Sequence, residues 1–276
     1  MPVPLAEHTT PNRQRERWFG ADGWRWLRLT NSDALWTCDR LFTLAARFRL
    51  TAGGAQGHRC VGEGNVVAVS WATAHPGAMR VLRESTAEEM VACFLHGELN
   101  SERFGQGIRD ALGVCGQPET LLTRPDVADQ HANQARRALL AATRGYGEDR
   151  GIFEHFPATV RWEWARLTAA ELAQVRYIEY SYWNEISGGS RLAADAAKNI
   201  RAGVRPYGVS NQRFIRAARG LLRGDRFPPL ILAGPGFDEL VCLEGNLRLT
   251  AHALAGFPGG AECLVGTAPT LRRWAQ

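Results

Sequence analysis

The apolar run Leu240-Val241-Cys242-Leu243 ends in Glu244-Gly245 and gives way at once to helical spacing, with Leu247, Ala251 and Leu254 on one stripe and Arg248 off it. This predicts a strand running straight into a helix. Upstream, Asn211 is placed to cap a helix from Gln212 to about Arg223 with Phe214, Ile215, Ala218, Leu221 and Leu222 inward. Phe227-Pro228-Pro229-Leu230-Ile231-Leu232 and Glu262-Cys263-Leu264-Val265-Gly266 then read as strands on either side of the opening motif.

The middle of the chain reads mainly as helix. Ser85-Thr86 followed by Glu88 and Glu89 is a cap signal, and the apolar positions Met90, Val91, Phe94 and Leu95 predict one long helix continuing to about Gly113, with a break at Gly105 to Gly107. Pro125-Asp126 opens a second helix from Val127 to about Thr143, and the aromatic stretch from Ile152 to Trp164 is β-prone. Thr168 with Glu171 is a capping box. Beyond it, Leu172 to Ile186 fits either a continued helix or a strand beginning near Val175, and a further helix follows from Leu192 to about Ala202. Residues 1–18 read as a polar arm, Ala34 to Phe48 as a helix and Val66 to Trp71 as a short strand. The reading is an α/β (α+β) protein in three parts: a Trp-rich segment 1–83, a helical module 84–165, and a C-terminal domain of mixed sheet and helices 166–276.

Composition narrows the classes. No stretch of about 18 apolar residues occurs, and Met1-Pro2-Val3-Pro4 leads to Arg13, Arg15 and Arg17 rather than to an apolar leader, so a cytoplasmic location and no membrane partner are expected. The cysteines Cys38, Cys60, Cys93, Cys115, Cys242 and Cys263 are scattered without a Cys-x-x-Cys pair, which predicts buried thiols and no metal site. The formal charge is +5 and Lys198 is the only lysine. The arginines form no run, so nucleic acid is open as a partner on charge but not favoured.

The chemistry points to anions. At the strand-to-helix junction Gly245 permits a tight turn, and the free amides and positive dipole end of the helix face outward, where a phosphate fits. Gly188-Gly189-Ser190-Arg191, before the helix from Leu192, is a second candidate anion nest, preceded by Glu179, Tyr182, Trp183, Asn184 and Glu185. His96, Glu98, Glu102 and Arg103 either line a pocket or form a solvated helix face.

Glu244-Gly245-Asn246-Leu247-Arg248, with the Pro228-Pro229 strand before it and the Glu262 strand after it, resembles the core of the ParB/sulfiredoxin superfamily, over roughly the last 110 residues. That family has a Pro-Pro-led strand, a strand ending in Asp/Glu-Gly-x-x-Arg, a helix and a last strand, and its Gly-x-x-Arg turn grips nucleotide phosphates. The resemblance implies a ParB/sulfiredoxin-like domain in which Gly245, Asn246 and Arg248 bind phosphates, joined by Gly188, Gly189, Ser190 and Arg191. Asn246 stands where sulfiredoxin has its nucleophilic cysteine, and Leu247 where partition proteins have a further arginine. The nearest likeness is to the free serine kinases with their Asp-Gly-His-x-Arg turn. By that likeness Glu185, with Glu179 second, is the carboxylate that deprotonates a substrate hydroxyl, and Glu244 closes the strand at the site. The implied function is nucleotide-dependent phosphotransfer from ATP or ADP with Mg2+ to a small hydroxylated metabolite. The alternative is a non-catalytic nucleotide-sensing or DNA-binding ParB-like protein.

Overall fold

A computed structural model describes residues 79–275. The helix expected from Ala34 and the strand expected from Val66 lie outside the described residues. Strand β1 (Arg80–Ser85) leads into α1 (Ala87–Leu99), where the Thr86 hydroxyl accepts the Glu89 amide at 3.2 Å and Glu88 and Glu89 complement the helix dipole. The single long helix expected here is instead two. The chain reverses over 100–104 and α2 (Gly105–Val114) begins with Gly105 pressed on the Leu99 carbonyl, where a side chain would not fit. After α3 (Thr120–Thr123), α4 (Gln130–Arg144) starts later than its apolar spacing suggests. Asp126 takes the Ala128 amide in a turn and Asp129 caps the helix by accepting from Ala132. Gly145, left-handed at φ 89°, ends it.

β2 (Arg161–Leu167) runs into α5 (Ala169–Gln174) through the Thr168–Glu171 capping box, both halves of which form. The ambiguous stretch after it divides three ways: α5, a two-residue β3 (Arg176–Tyr177), and α6 (Ser181–Ile186). Then follow α7 (Ala193–Arg201), α8 (Gln212–Arg223), β4 (Leu230–Gly234), β5 (Val241–Glu244), α9 (Asn246–Leu254), β6 (Ala261–Thr267) and α10 (Arg272–Ala275). Asn211 stands at the mouth of α8 but does not cap it, because its amide donates to the Val204 carbonyl at 2.7 Å. Leu222, expected inward, is exposed, and the inward face of α8 is carried by Phe214, Ala218 and Gly220.

The strands form one mixed sheet in the order β1-β2-β6-β4-β5-β3, with β6 parallel to β4, β5 parallel to β3 and the other pairs antiparallel. β4 is buried along its whole length, as a strand covered on both faces must be. One face packs Leu230, Leu232, Cys242, Cys263 and Val265 against Ala197, Phe214 and Leu249 of α7, α8 and α9. The other packs Ile231, Leu243 and Leu264 against Phe94, Leu95, Leu122 and Leu140 of α1 to α4. The two stretches divided in sequence near residue 165 therefore share this sheet, since β2 pairs with β6 along seven residue pairs from Arg161↔Thr267 to Leu167↔Ala261. Among the described residues no helix is long and apolar enough to cross a membrane.

Candidate functional site

The junction of β5 and α9 has the strand–turn–helix form the sequence leads one to expect, but the buried face of α9 is carried by Leu249, Ala251 and Ala253, with Leu247 and Leu254 only half-buried. Gly245 sits at φ 105°, ψ 19°, and a Cβ there would lie 2.7 Å from Leu230 Cδ2 and 3.0 Å from Arg248 Nη2. Glycine is demanded by both conformation and space. No side chain caps α9 and no acidic residue occupies its first turn, so the positive end of the helix is not neutralised from within it. Arg248 lies one turn along. Its Nη2 donates to Glu244 Oε1 at 3.2 Å and to the Pro229 carbonyl at 3.1 Å, while its Nε is buried without a partner. The Asn246 side-chain Oδ1 is likewise buried and unpartnered, and the Asn246 carbonyl accepts the Thr250 hydroxyl, which meets the Tyr177 hydroxyl at 2.7 Å.

α1 reaches this turn from the opposite helix layer. At Gly97 a Cβ would stand 3.3 Å from Glu244 Oε1 and 3.6 Å from Arg248 Nη2, so the missing side chain lets the helix close on the pair. Next to it Glu98, 2% exposed, faces Arg144 Nη2 with Oε1 at 3.1 Å and leaves Oε2 without a partner. Burial pushes the Glu98 carboxyl up to about 8; Arg144, Arg103 and Arg248 oppose this and Glu244 adds to it, but desolvation is the larger effect. The Arg144 guanidinium lies 4.0 Å from the Phe104 ring centre and Arg103 lies 4.7 Å from the same ring. Burial first, then repulsion from Arg144, lowers Arg103 below the ordinary guanidinium value. From α8, Arg213 stacks on Tyr182 and Phe214 and adds to that repulsion, and Arg216 approaches Glu102 at 3.8 Å. The α1–α2 loop and α8, from opposite layers, thus meet beside the turn.

Of the residues singled out by sequence, Glu244, Gly245, Asn246 and Arg248 stand together. The others do not join them. Glu185 is exposed on α6 and makes no hydrogen bond or ion pair with the turn. Glu179 lines a separate cleft with Glu154, His155, Arg273 and Trp274, and acts electrostatically on Arg191. The 188–191 loop is not an open anion nest, because three of its four amides are used internally: Gly188 to the Glu185 carbonyl, Gly189 to the Asn184 carbonyl, Arg191 to Ser187 Oγ. The Arg191 guanidinium is spent on the carbonyls of Tyr177 and Ala275. The Tyr177 ring, stacked on Trp183 at 4.7 Å, is core.

Gly97, Glu98, Arg103 and Arg144 are the neighbours that a solvated-face reading misses. A signal was present. Glu98 falls at i+7 from Val91 and i+4 from Phe94, on the apolar stripe of α1, and Arg144 falls at i+4 from Leu140 on the packed side of α4. A carboxylate and a guanidinium on buried stripes are informative because such groups are rarely buried singly. Among the described residues no group of three or more His, Cys, Asp or Glu side chains is placed to hold a metal ion. Comparison with protein-family models, with curated proteins and with solved structures gave no match for this chain.

Proposed function

We propose that the protein binds the phosphates of a nucleotide at the Glu244–Arg248 turn and acts in the cytoplasm as a phosphotransferase on a small hydroxylated metabolite. One observation carries the reading: the buried Arg248 Nε has no partner at the uncapped mouth of α9, beside a glycine that keeps the approach free of side-chain bulk. Glu244 and the Pro229 carbonyl hold one edge of the guanidinium, so its orientation is fixed before a phosphate arrives. Mg2+ would enter with the nucleotide as the counterion of its phosphates. The acceptor oxygen bonds to the terminal phosphorus, the bond to the nucleotide's bridging oxygen breaks, and a carboxylate takes the hydroxyl proton. Glu98 fits that last task better than Glu185 or Glu179, because it adjoins Gly97 where α1 meets the turn; burial raises its carboxyl to about 8, so it accepts the proton in its ionised form and transfer should rise with pH toward that value.

The test is thermal stability of the full chain against ATP, ADP, CTP and GTP with Mg2+, in wild type and Arg248→Lys, which keeps the charge but loses the fork. A rise of several degrees with one nucleotide, cut sharply in the variant, is the expected result. No rise with any nucleotide would overturn the reading. Transfer of labelled phosphate to a metabolite pool, abolished in Glu98→Gln, tests the catalytic half. A second reading, nucleic-acid binding, is favoured by Arg216, Arg219 and Arg223, which share one exposed face of α8. Salt-sensitive DNA retention lost on replacing these three would support it.

A further inference from the structure

The residues around the turn carry more positive charge than the turn itself needs. Arg103 and Arg144 both stack on Phe104, at 4.7 and 4.0 Å from its centre, and Arg248 acts electrostatically on the same Glu98 that Arg103 and Arg144 act on. Glu98 supplies one oxygen to Arg144 and Glu244 one oxygen to Arg248. Among the described residues no carboxylate is hydrogen-bonded to the Arg103 guanidinium. The Arg144 Nε and the Glu98 Oε2, like the Arg248 Nε, are buried without partners. Like charges gathered on one ring, with buried donors left open, cost free energy in the empty protein. A polyanion relieves that cost; a single phosphate on α9 leaves Arg103 and Arg144 unanswered.

We propose that the helical layer formed by α1 to α4 adds a second phosphate subsite to the turn: Arg103 and Arg144, fanned on Phe104, receive the distal phosphates of a chain whose nearer phosphate sits on the α9 amides and Arg248. This deepens the nucleotide reading and rests on it for the identity of the ligand, but the subsite itself is defined by chemistry that inorganic polyphosphate shares. The site is selective for linear di- and triphosphates over monophosphates. It is also composite: the turn comes from the C-terminal part of the chain and the distal cations come from the α1–α2 loop and the C-terminal end of α4. Arg103, on the exposed loop, is the member whose removal disturbs the fold least.

The experiment is calorimetric titration of the full chain, wild type and Arg103→Ala, with orthophosphate, pyrophosphate, tripolyphosphate, AMP and ATP. Wild type binds tripolyphosphate at least about tenfold more tightly than orthophosphate, the increment of one charge-assisted contact. Arg103→Ala loses that increment and keeps the orthophosphate affinity. Arg103→Lys recovers part of it, which separates charge from packing on Phe104. Equal affinity of wild type for orthophosphate and tripolyphosphate, or an unchanged tripolyphosphate affinity in Arg103→Ala, overturns the subsite. Tripolyphosphate binding that depends on Arg103, with no binding of ATP, upholds the subsite and overturns the nucleotide reading alone.

Discussion

Glu98 is the residue on which the electrostatics of the site turn. Its carboxyl is 2% exposed, and burial outweighs Arg144, so its proton is held up to about pH 8. The sign of the consequence is fixed by linkage. The unfolded chain releases this proton near the ordinary carboxylate value of about 4.3 while the folded chain retains it, so the folded state binds more protons between the two values. Stability is therefore full below about pH 4.3 as far as Glu98 is concerned, and it falls as pH rises through the window to about 8, by at most about 1.4 kcal/mol per unit. Glu98→Gln, which mimics the protonated acid, should remove this slope and raise stability at pH 8 relative to wild type, as read by urea unfolding from pH 5 to 9. A parallel slope in wild type and variant would show that Glu98 is ionised throughout.

Among the elements, α1 is held at both ends by different means. At its start Thr86 caps the first turn and Arg83 reaches back to Glu89; at its end Gly97 lets the helix touch the Glu244–Arg248 pair. Gly97→Val places two methyl groups against Glu244 and Arg248. It should cost about 1–3 kcal/mol by overpacking and weaken phosphate binding more than a stability-matched core variant such as Leu139→Val, the comparison being made by melting and titration. The elements themselves were largely legible in the sequence, because caps and periodicity are local. The capping box at Thr168, the whole span of α8 and the β5–turn–α9 unit follow from residues adjacent in the chain. What was not legible is tertiary. That α1 stops at Leu99 depends on where Gly105 packs, and that the Gly188-Gly189 loop is closed depends on carbonyls of Asn184 and Glu185 turning inward to meet it. Half of the site came from spacing within five residues. The other half, Glu98, Arg103 and Arg144, is brought there by packing across a sheet.

On the scale of the whole molecule, the sheet is the shared wall between two helix layers. Removing residues 79–144 would bare Ile231, Leu243 and Leu264 on one face of the central strands. A chain beginning at about residue 145 should therefore expose a large apolar surface and fail to give the single cooperative transition expected of 79–275, as judged by near-ultraviolet circular dichroism and by binding of an apolar dye. A compact, cooperatively melting fragment would show that the C-terminal part carries its own sufficient core. The same wall explains why the candidate site is composite: its two sets of arginines approach one turn from opposite layers.

The strand order has a consequence for synthesis. β6, the last of the described strands in chain order, lies between β2 and β4, so among the described residues the two halves of the sheet are not joined by strand hydrogen bonds until it is inserted. While the chain is still emerging from the ribosome, β1 and β2 can pair as one ribbon and β4 and β5 as another, but each presents an edge that residues 261–267 fill in the finished sheet. Among the described strands, completion of the sheet thus waits on synthesis of residues 261–267, and the two ribbons remain separate for as long as that stretch is delayed.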